Sequence, residues 1–160
     1  MQAELAVELR RVRRPKNLTA AEFQFHNRLS PAQVEQLWRL YQSEWWSRGR
    51  KLSDTRRVVE NSDLVFAFSD PETGELAAFA RVLTDYTYKA LIFDVIVEPS
   101  RRKLGLGRRL VDVIVCSPAL LFVENLELYC RPELIPFYEQ WDFTANLRRV
   151  HFMRRTQEPW

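Results

Sequence analysis

The sequence predicts a mixed α/β fold, with one central mixed sheet and helices on both faces. Three observations carry this expectation. The hydrophobic patterns run in the order β, α, α, three β, α, β, α, β. A Pro/Gly turn, PETGE (71–75), joins two apolar runs into a hairpin. The run ALIFDVIV (90–97) is apolar apart from Asp94, as expected for a strand covered on both faces.

Each element has a local reason. Residues 1–20 read as a basic arm, with a short helix through Leu5, Leu9 and Val12; residues 21–160 read as one domain. EFQFHNRL (22–29) alternates like a strand. Ser30, Pro31 and Gln33 make a helix start: an N-cap, a proline at the first helical position and a capping-box partner. Val34, Leu37, Trp38 and Tyr41 form one stripe of that helix, which runs to about Trp46 with Gly49 beyond it. A second short helix follows Ser53 and contains Val58 and Val59. LVFAFSD (64–70) and LAAFARVLTDY (76–86) form the hairpin, and 90–97 follows as the buried strand. GRRLVDVIVCS (107–117) has helical spacing through Leu110, Val111 and Ile114. NLELYC (125–130) is a strand, and PELIPFYEQW (132–141) is a short helix that Pro136 bends or restarts. NLRRVHFMRR (146–155) alternates and is expected to end the sheet.

Composition narrows the function classes. The 160 residues are 46% apolar and 28% charged, with a net charge of +3. That is a globular composition with room for a sizeable core. No apolar run approaches the roughly 18 residues of a membrane span. The N-terminus has no signal-peptide core, and Glu4 and Glu8 argue against a presequence. Cys116 and Cys130 give neither a disulfide framework nor metal spacing, and two histidines are too few for a histidine-built zinc site. The expectation is a metal-free protein of the reducing cytoplasm, with no membrane partner. The cations at 10–16 lack a recognition helix, zinc finger or RNA-binding signature, so they read as a solvated tail, with nucleic acid an unlikely partner.

The stretch PSRRKLGLGRRL (99–110) concentrates the chemistry. It holds two of the four glycines among cations, between the buried strand and a helix. A loop that leaves a strand and opens a helix points free N–H groups outward, and the helix dipole adds positive charge. Glycine lets backbone approach where a Cβ would collide. The place suits a pyrophosphate. A dinucleotide fingerprint would need a third glycine where Leu110 stands, and a Walker-type loop would need G-K-[ST]; neither is present. What is present is R-x-x-G-x-G, Arg102 to Gly107.

DVIVEPSRRKLGLGRRLVD resembles the acetyl-CoA motif of the GCN5-related N-acetyltransferases (GNAT). LELYCRPELIPFYEQWDF (126–143) resembles the strand and "FYxxxGF" helix of the same enzymes. The resemblance covers roughly Ser30 to Arg155. It implies a mostly antiparallel twisted sheet with a splayed parallel strand pair, and a small bacterial-type N-acetyltransferase of unassigned substrate. Acetyl-CoA is the implied co-substrate, and the implied partner is an amine acceptor, either a small molecule or a protein amine. A homodimer is common among such enzymes.

The resemblance also implies site roles. The amides of Lys103, Leu104, Gly105, Leu106, Gly107 and Arg108 would wrap the pyrophosphate, with the Arg102 and Arg108 side chains nearby. The pantetheine arm would pair with the backbone of Val95, Ile96 and Val97, where an N–H would also meet the thioester carbonyl. Tyr138 would protonate the departing thiolate.

An alkyl ammonium cannot attack, so a base is needed. Asp94, the only charge inside the buried strand, is the first candidate, acting on the amine, through water or by binding a cationic substrate; its structural alternative is a carboxylate paired with an arginine. Glu127 is second and Glu133 third. Trp45 and Trp46 either line the acceptor pocket or belong to the core. Two positions depart from the family. Asp142 replaces its glycine and must accept a left-handed turn, and Arg131-Pro132 replaces its asparagine. Those departures keep a second reading open, an acyl-CoA-binding sensor with little catalysis. A third reading is nucleic-acid binding through the basic arm.

Overall fold

The structure, a computed structural model, describes residues 19–157; the expected helix of the arm lies outside them. Five strands form one sheet in sequence order: β1 (Gln24–His26), β2 (Leu64–Ser69), β3 (Leu76–Thr84), β4 (Lys89–Val97) and β5 (Asn125–Leu128). Neighbours are antiparallel through β4, and β4 pairs with β5 in parallel. A parallel pair needs a crossover, which helix α3 (Leu106–Val115) supplies.

The helices begin where their caps direct. The Ser30 side chain accepts from Gln33 N, Gln33 Oε1 accepts from Ser30 N, and Pro31 opens α1 (Pro31–Ser43). That helix stops before Trp46. The Ser47 hydroxyl donates to the Tyr41 carbonyl at 2.9 Å, and Gly49 turns the chain at φ +89° toward α2 (Leu52–Glu60). Pro136 falls in the first turn of α4 (Ile135–Tyr138), where it removes no helical hydrogen bond. It therefore restarts the helix after the 3₁₀ turn Pro132–Leu134.

Two cores flank the sheet. On one face, Leu106, Leu110 and Ile114 of α3 pack on Phe66, Phe68, Ala80, Val82 and Ile92. On the other, Leu37 and Tyr41 of α1 and Val59 of α2 pack on Val65, Ala67, Phe79 and Ile96. Burying each large side chain contributes roughly 1.5–3 kcal/mol. No helix among the described residues is long and apolar enough to cross a membrane.

Two strand expectations change. The first strand shortens to β1 because Glu22 turns back to the amide of Thr19 (2.7 Å), closing a 3₁₀ turn over Ala20–Glu22. Residues 146–155 form no strand. Thr144 Oγ1 accepts from Asn146 N and Asn146 Oδ1 from Arg148 N, so side chains take the hydrogen bonds a ladder would need. Arg148 then turns at φ +58°, and Val150, Phe152 and Met153 remain exposed.

Candidate active site

The site begins with an irregularity in β4. Arg81 pairs with Phe93 but Phe79 pairs with Ile96, so β4 holds one extra residue at this point. Asp94 sits in the bulge at φ +55°, a conformation Asp tolerates better than most side chains. The bulge resets which way the strand faces. Ile92 packs toward α3, and beyond the bulge Val95 and Val97 do so too. Pairing with β5 stops at Ile92 opposite Leu128, so the edge of 93–97 faces no strand among the described residues. The Val97 carbonyl on that stretch accepts from Arg102 Nε at 3.1 Å.

At the end of this edge lies the glycine loop. Lys103 (φ +65°) and Gly105 (φ +83°) are both left-handed, and Gly105 is the N-cap of α3. The amides of residues 103 to 108 find no backbone or side-chain acceptor among the described residues. A helix N-terminus with consecutive unpaired N–H groups is a natural anion cradle. A Cβ on Gly107 would lie 3.8 Å from Phe137 Cζ and 3.8 Å from Val97 Cγ2. The end of β4, the start of α3 and α4 therefore meet at one point.

Tyr138 follows Phe137 there. Its ring is buried, edge-on to Phe137 (5.0 Å) and Phe143 (6.1 Å). Burial pushes its hydroxyl up to about 12, and the neighbouring Cys130 adds to the shift. Its phenol is neutral at any physiological pH and can donate a proton. Cys130, exposed as a residue, has its own thiol pushed up by local burial and then by Glu133. Asp142 ends the segment at φ +62°, ψ +16°, the left-handed turn expected of it.

The cations divide by role. Arg109 donates to the carbonyls of Ala20 and Phe23 and lies over the Phe68 ring, so it ties down the chain before β1. Arg101 pairs with buried Asp70 at 3.1 Å. Arg108 donates to Gln140 and covers Trp141 beside the loop. Arg102 bridges Val97 O and Glu44. Lys103 has no ion pair among the described residues.

The three carboxylates are each paired. Asp94 Oδ2 accepts from Arg81 Nε (2.7 Å), Tyr41 Oη (2.8 Å) and Arg50 Nη1 (3.2 Å), with the Asp94 side chain only 4% exposed. Its other oxygen accepts nothing among the described residues. Burial first, and then the Asp94 charge, push the Tyr41 phenol far up. Glu127 stands opposite Leu91, inside the paired part of β5, and binds Lys89. Glu133 pairs with Arg131 at 3.0 Å.

Comparison with known proteins supplies the family. The Acetyltransferase (GNAT) family pattern matches residues 31–143, most of the chain and all of this site. The chain belongs to the GNAT family. A rice protein (Oryza sativa subsp. japonica) named serotonin N-acetyltransferase 2, chloroplastic, is 33% identical over 108 residues, 64% of this chain and 54% of its own. An uncharacterized ycf52-like N-acetyltransferase of Prochlorococcus marinus is 32% identical over 113 residues, 69% of this chain and 62% of its own. The GNAT chain thus spans less than two thirds of the length of these curated relatives. A solved GNAT-family structure from Xanthomonas campestris superposes with a TM-score of 0.71 at 26% identity, over 83% of this chain and 93% of that one. Glucosamine-6-phosphate N-acetyltransferase from Arabidopsis thaliana shares the fold, with a TM-score of 0.66 at 16% identity, over 85% of this chain and 99% of that one.

Within this GNAT site, sequence reasoning missed Tyr41, Arg50 and Arg81 as the partners of Asp94. The available signal was Asp94 itself, a lone carboxylate in a buried strand that needs a cation. Nothing in the spacing marks which arginines supply it.

Proposed function

We propose that the protein is an N-acetyltransferase that passes the acetyl group of acetyl-CoA to a primary amine by direct attack in a ternary complex. One observation carries the reading. Six successive amides without acceptors among the described residues lead into α3, at the end of a strand edge that faces no other described strand. These groups fit the co-substrate's two anchoring needs. The amides of residues 103–108 would hold the pyrophosphate, helped by Arg108 and by Arg102 once it leaves Glu44. The backbone of Val95 to Val97 would pair with the pantetheine amides. Val97 O, now held by Arg102, is one of the acceptors that arm would use.

Bound acetyl-CoA supplies an acyl group on a thiol leaving group. The chain's own residues supply the rest. A backbone N–H of the β4 edge would stabilise negative charge on the carbonyl oxygen. Tyr138 Oη holds the proton for the sulfur that leaves, and its elevated proton affinity keeps that proton in place before transfer. Asp94 uses one oxygen to fix Arg81, Arg50 and Tyr41 at the bulge. Its Oδ1 is left to meet the amine directly or through water. Glu127, salt-bridged within the paired strands, is the weaker candidate for that task.

Thiol release from acetyl-CoA over a panel of amines, run beside thermal stabilisation by CoA, tests the proposal. Turnover with stabilisation supports it. Stabilisation without any turnover would favour the sensor, and neither would overturn both CoA readings.

A further inference from the structure

The surroundings of Asp94 bear on the acceptor, granted the transferase reading above. Arg50, in the segment between α1 and α2, is locked in place. Its carbonyl takes Trp38 Nε1 (3.0 Å) and Gln42 Nε2 (3.0 Å) from α1. Its guanidinium lies over the rings of Tyr41 (4.6 Å) and Trp46 (5.2 Å). Among the described residues only Nη1 is used, on Asp94, and the side chain is 32% exposed. Arg81 spends Nε on the same carboxylate oxygen and lies over Phe93 (4.6 Å). A third arginine, Arg131, covers Trp45 (5.8 Å) and thereby links the end of β5 to the segment after α1.

The charges do not cancel. Asp94 answers both Arg50 and Arg81 while Glu133 answers Arg131, leaving one positive charge in the Asp94 cluster. A bare cationic chain is disfavoured in such a place. An acceptor whose ammonium stands beside a carboxylate is favoured: the anion takes the N–H edge of Arg50 that Asp94 leaves open, and the amine meets Asp94 Oδ1. A planar guanidinium steadied against aromatic rings offers a carboxylate a fixed fork of N–H donors.

We propose that the acceptor is a small amine bearing a carboxylate, as an amino acid does, and that Arg50 reads that carboxylate. The test compares matched acceptors, each amino acid against its decarboxylated amine; phenylalanine against 2-phenylethylamine is the first pair. The expected kcat/KM, on a free-amine basis, favours the acid by tenfold or more. Arg50→Gln collapses that ratio toward one through KM, and Arg50→Lys restores part of it. Equal or better use of the decarboxylated amines, with a ratio unmoved by Arg50→Gln, would overturn the proposal.

Calorimetric binding of the products gives a second readout that needs no turnover. N-acetylphenylalanine is expected to bind wild type at least tenfold more tightly than N-(2-phenylethyl)acetamide. Equal binding would refute the Arg50 assignment. CoA stabilisation and thiol release with any amine judge the transferase reading separately.

Discussion

Replacing Gly105 by alanine separates backbone geometry from bulk. Gly105 has φ +83°, and a Cβ there would meet only Ala20 Cβ, at an ordinary 3.7 Å. The damage therefore comes from the left-handed backbone, about 1–2 kcal/mol for a residue with a Cβ. For a domain of this size each kcal/mol moves the melting temperature by roughly 2–4 °C. A fall of about 2–8 °C is expected. If the chain relaxes instead, the amides of Gly105 and Leu106 swing away from the cradle. Each hydrogen bond to a charged phosphate is worth about 1.5–3 kcal/mol, so CoA affinity drops at least about tenfold.

Gly107→Ala is the comparison. Its φ is ordinary, and its new Cβ makes van der Waals contacts with Phe137 and Val97. Stability should hold or rise slightly, since alanine is the better helix former. Melting curves and titration calorimetry with CoA measure both quantities. A Gly105→Ala protein with wild-type melting temperature and affinity would refute the loop reasoning.

Other outcomes follow from the same geometry. Tyr138→Phe should lower kcat about a hundredfold or more while CoA affinity changes little; an unchanged rate would remove Tyr138 from the mechanism. Tyr138 should contribute a decline in stability between pH 10 and 12, on top of the alkaline declines that Cys130 and Tyr41 contribute, so it is read as the difference between wild type and Tyr138→Phe. An unfolded tyrosine releases its proton near 10 and folded Tyr138 near 12, so the unfolded state binds fewer protons in that window. An alkaline decline of the same size in wild type and Tyr138→Phe would contradict the burial of its hydroxyl. Asp94→Asn strips two guanidiniums of their counter-charge and should cost about 3–5 kcal/mol in denaturant unfolding. A loss below about 1 kcal/mol would mean the cluster is already solvated.

Much of the fold was legible because local chemistry and global placement agree. Ser30-Pro31-x-Gln33 caps α1 as read, PETGE closes its hairpin, and the apolar run 90–97 lies second from the sheet edge. The loop's character was legible for the same reason, since glycine spacing and strand-to-helix order are both local. What stayed hidden depends on contacts distant in sequence. The alternation of 146–155 matches a strand, yet strand formation needs a partner edge, and the Thr144 and Asn146 side chains divert the chain first. Arg101 and Arg109 look like their neighbours in the basic run. Only the folded chain brings Asp70 and the carbonyls of Ala20 and Phe23 to them. The bulge at Asp94 is likewise a property of the β3–β4 register.

We propose that this GNAT chain holds acetyl-CoA on the 103–108 amides and transfers its acetyl group. The most direct measurement incubates the protein with isotopically labelled acetyl-CoA and an amine panel, then detects labelled amide by mass spectrometry. The account predicts labelled N-acetyl product from at least one amine, strongly reduced in Gly105→Ala and Tyr138→Phe. Tight CoA binding with no labelled product from any amine would contradict it.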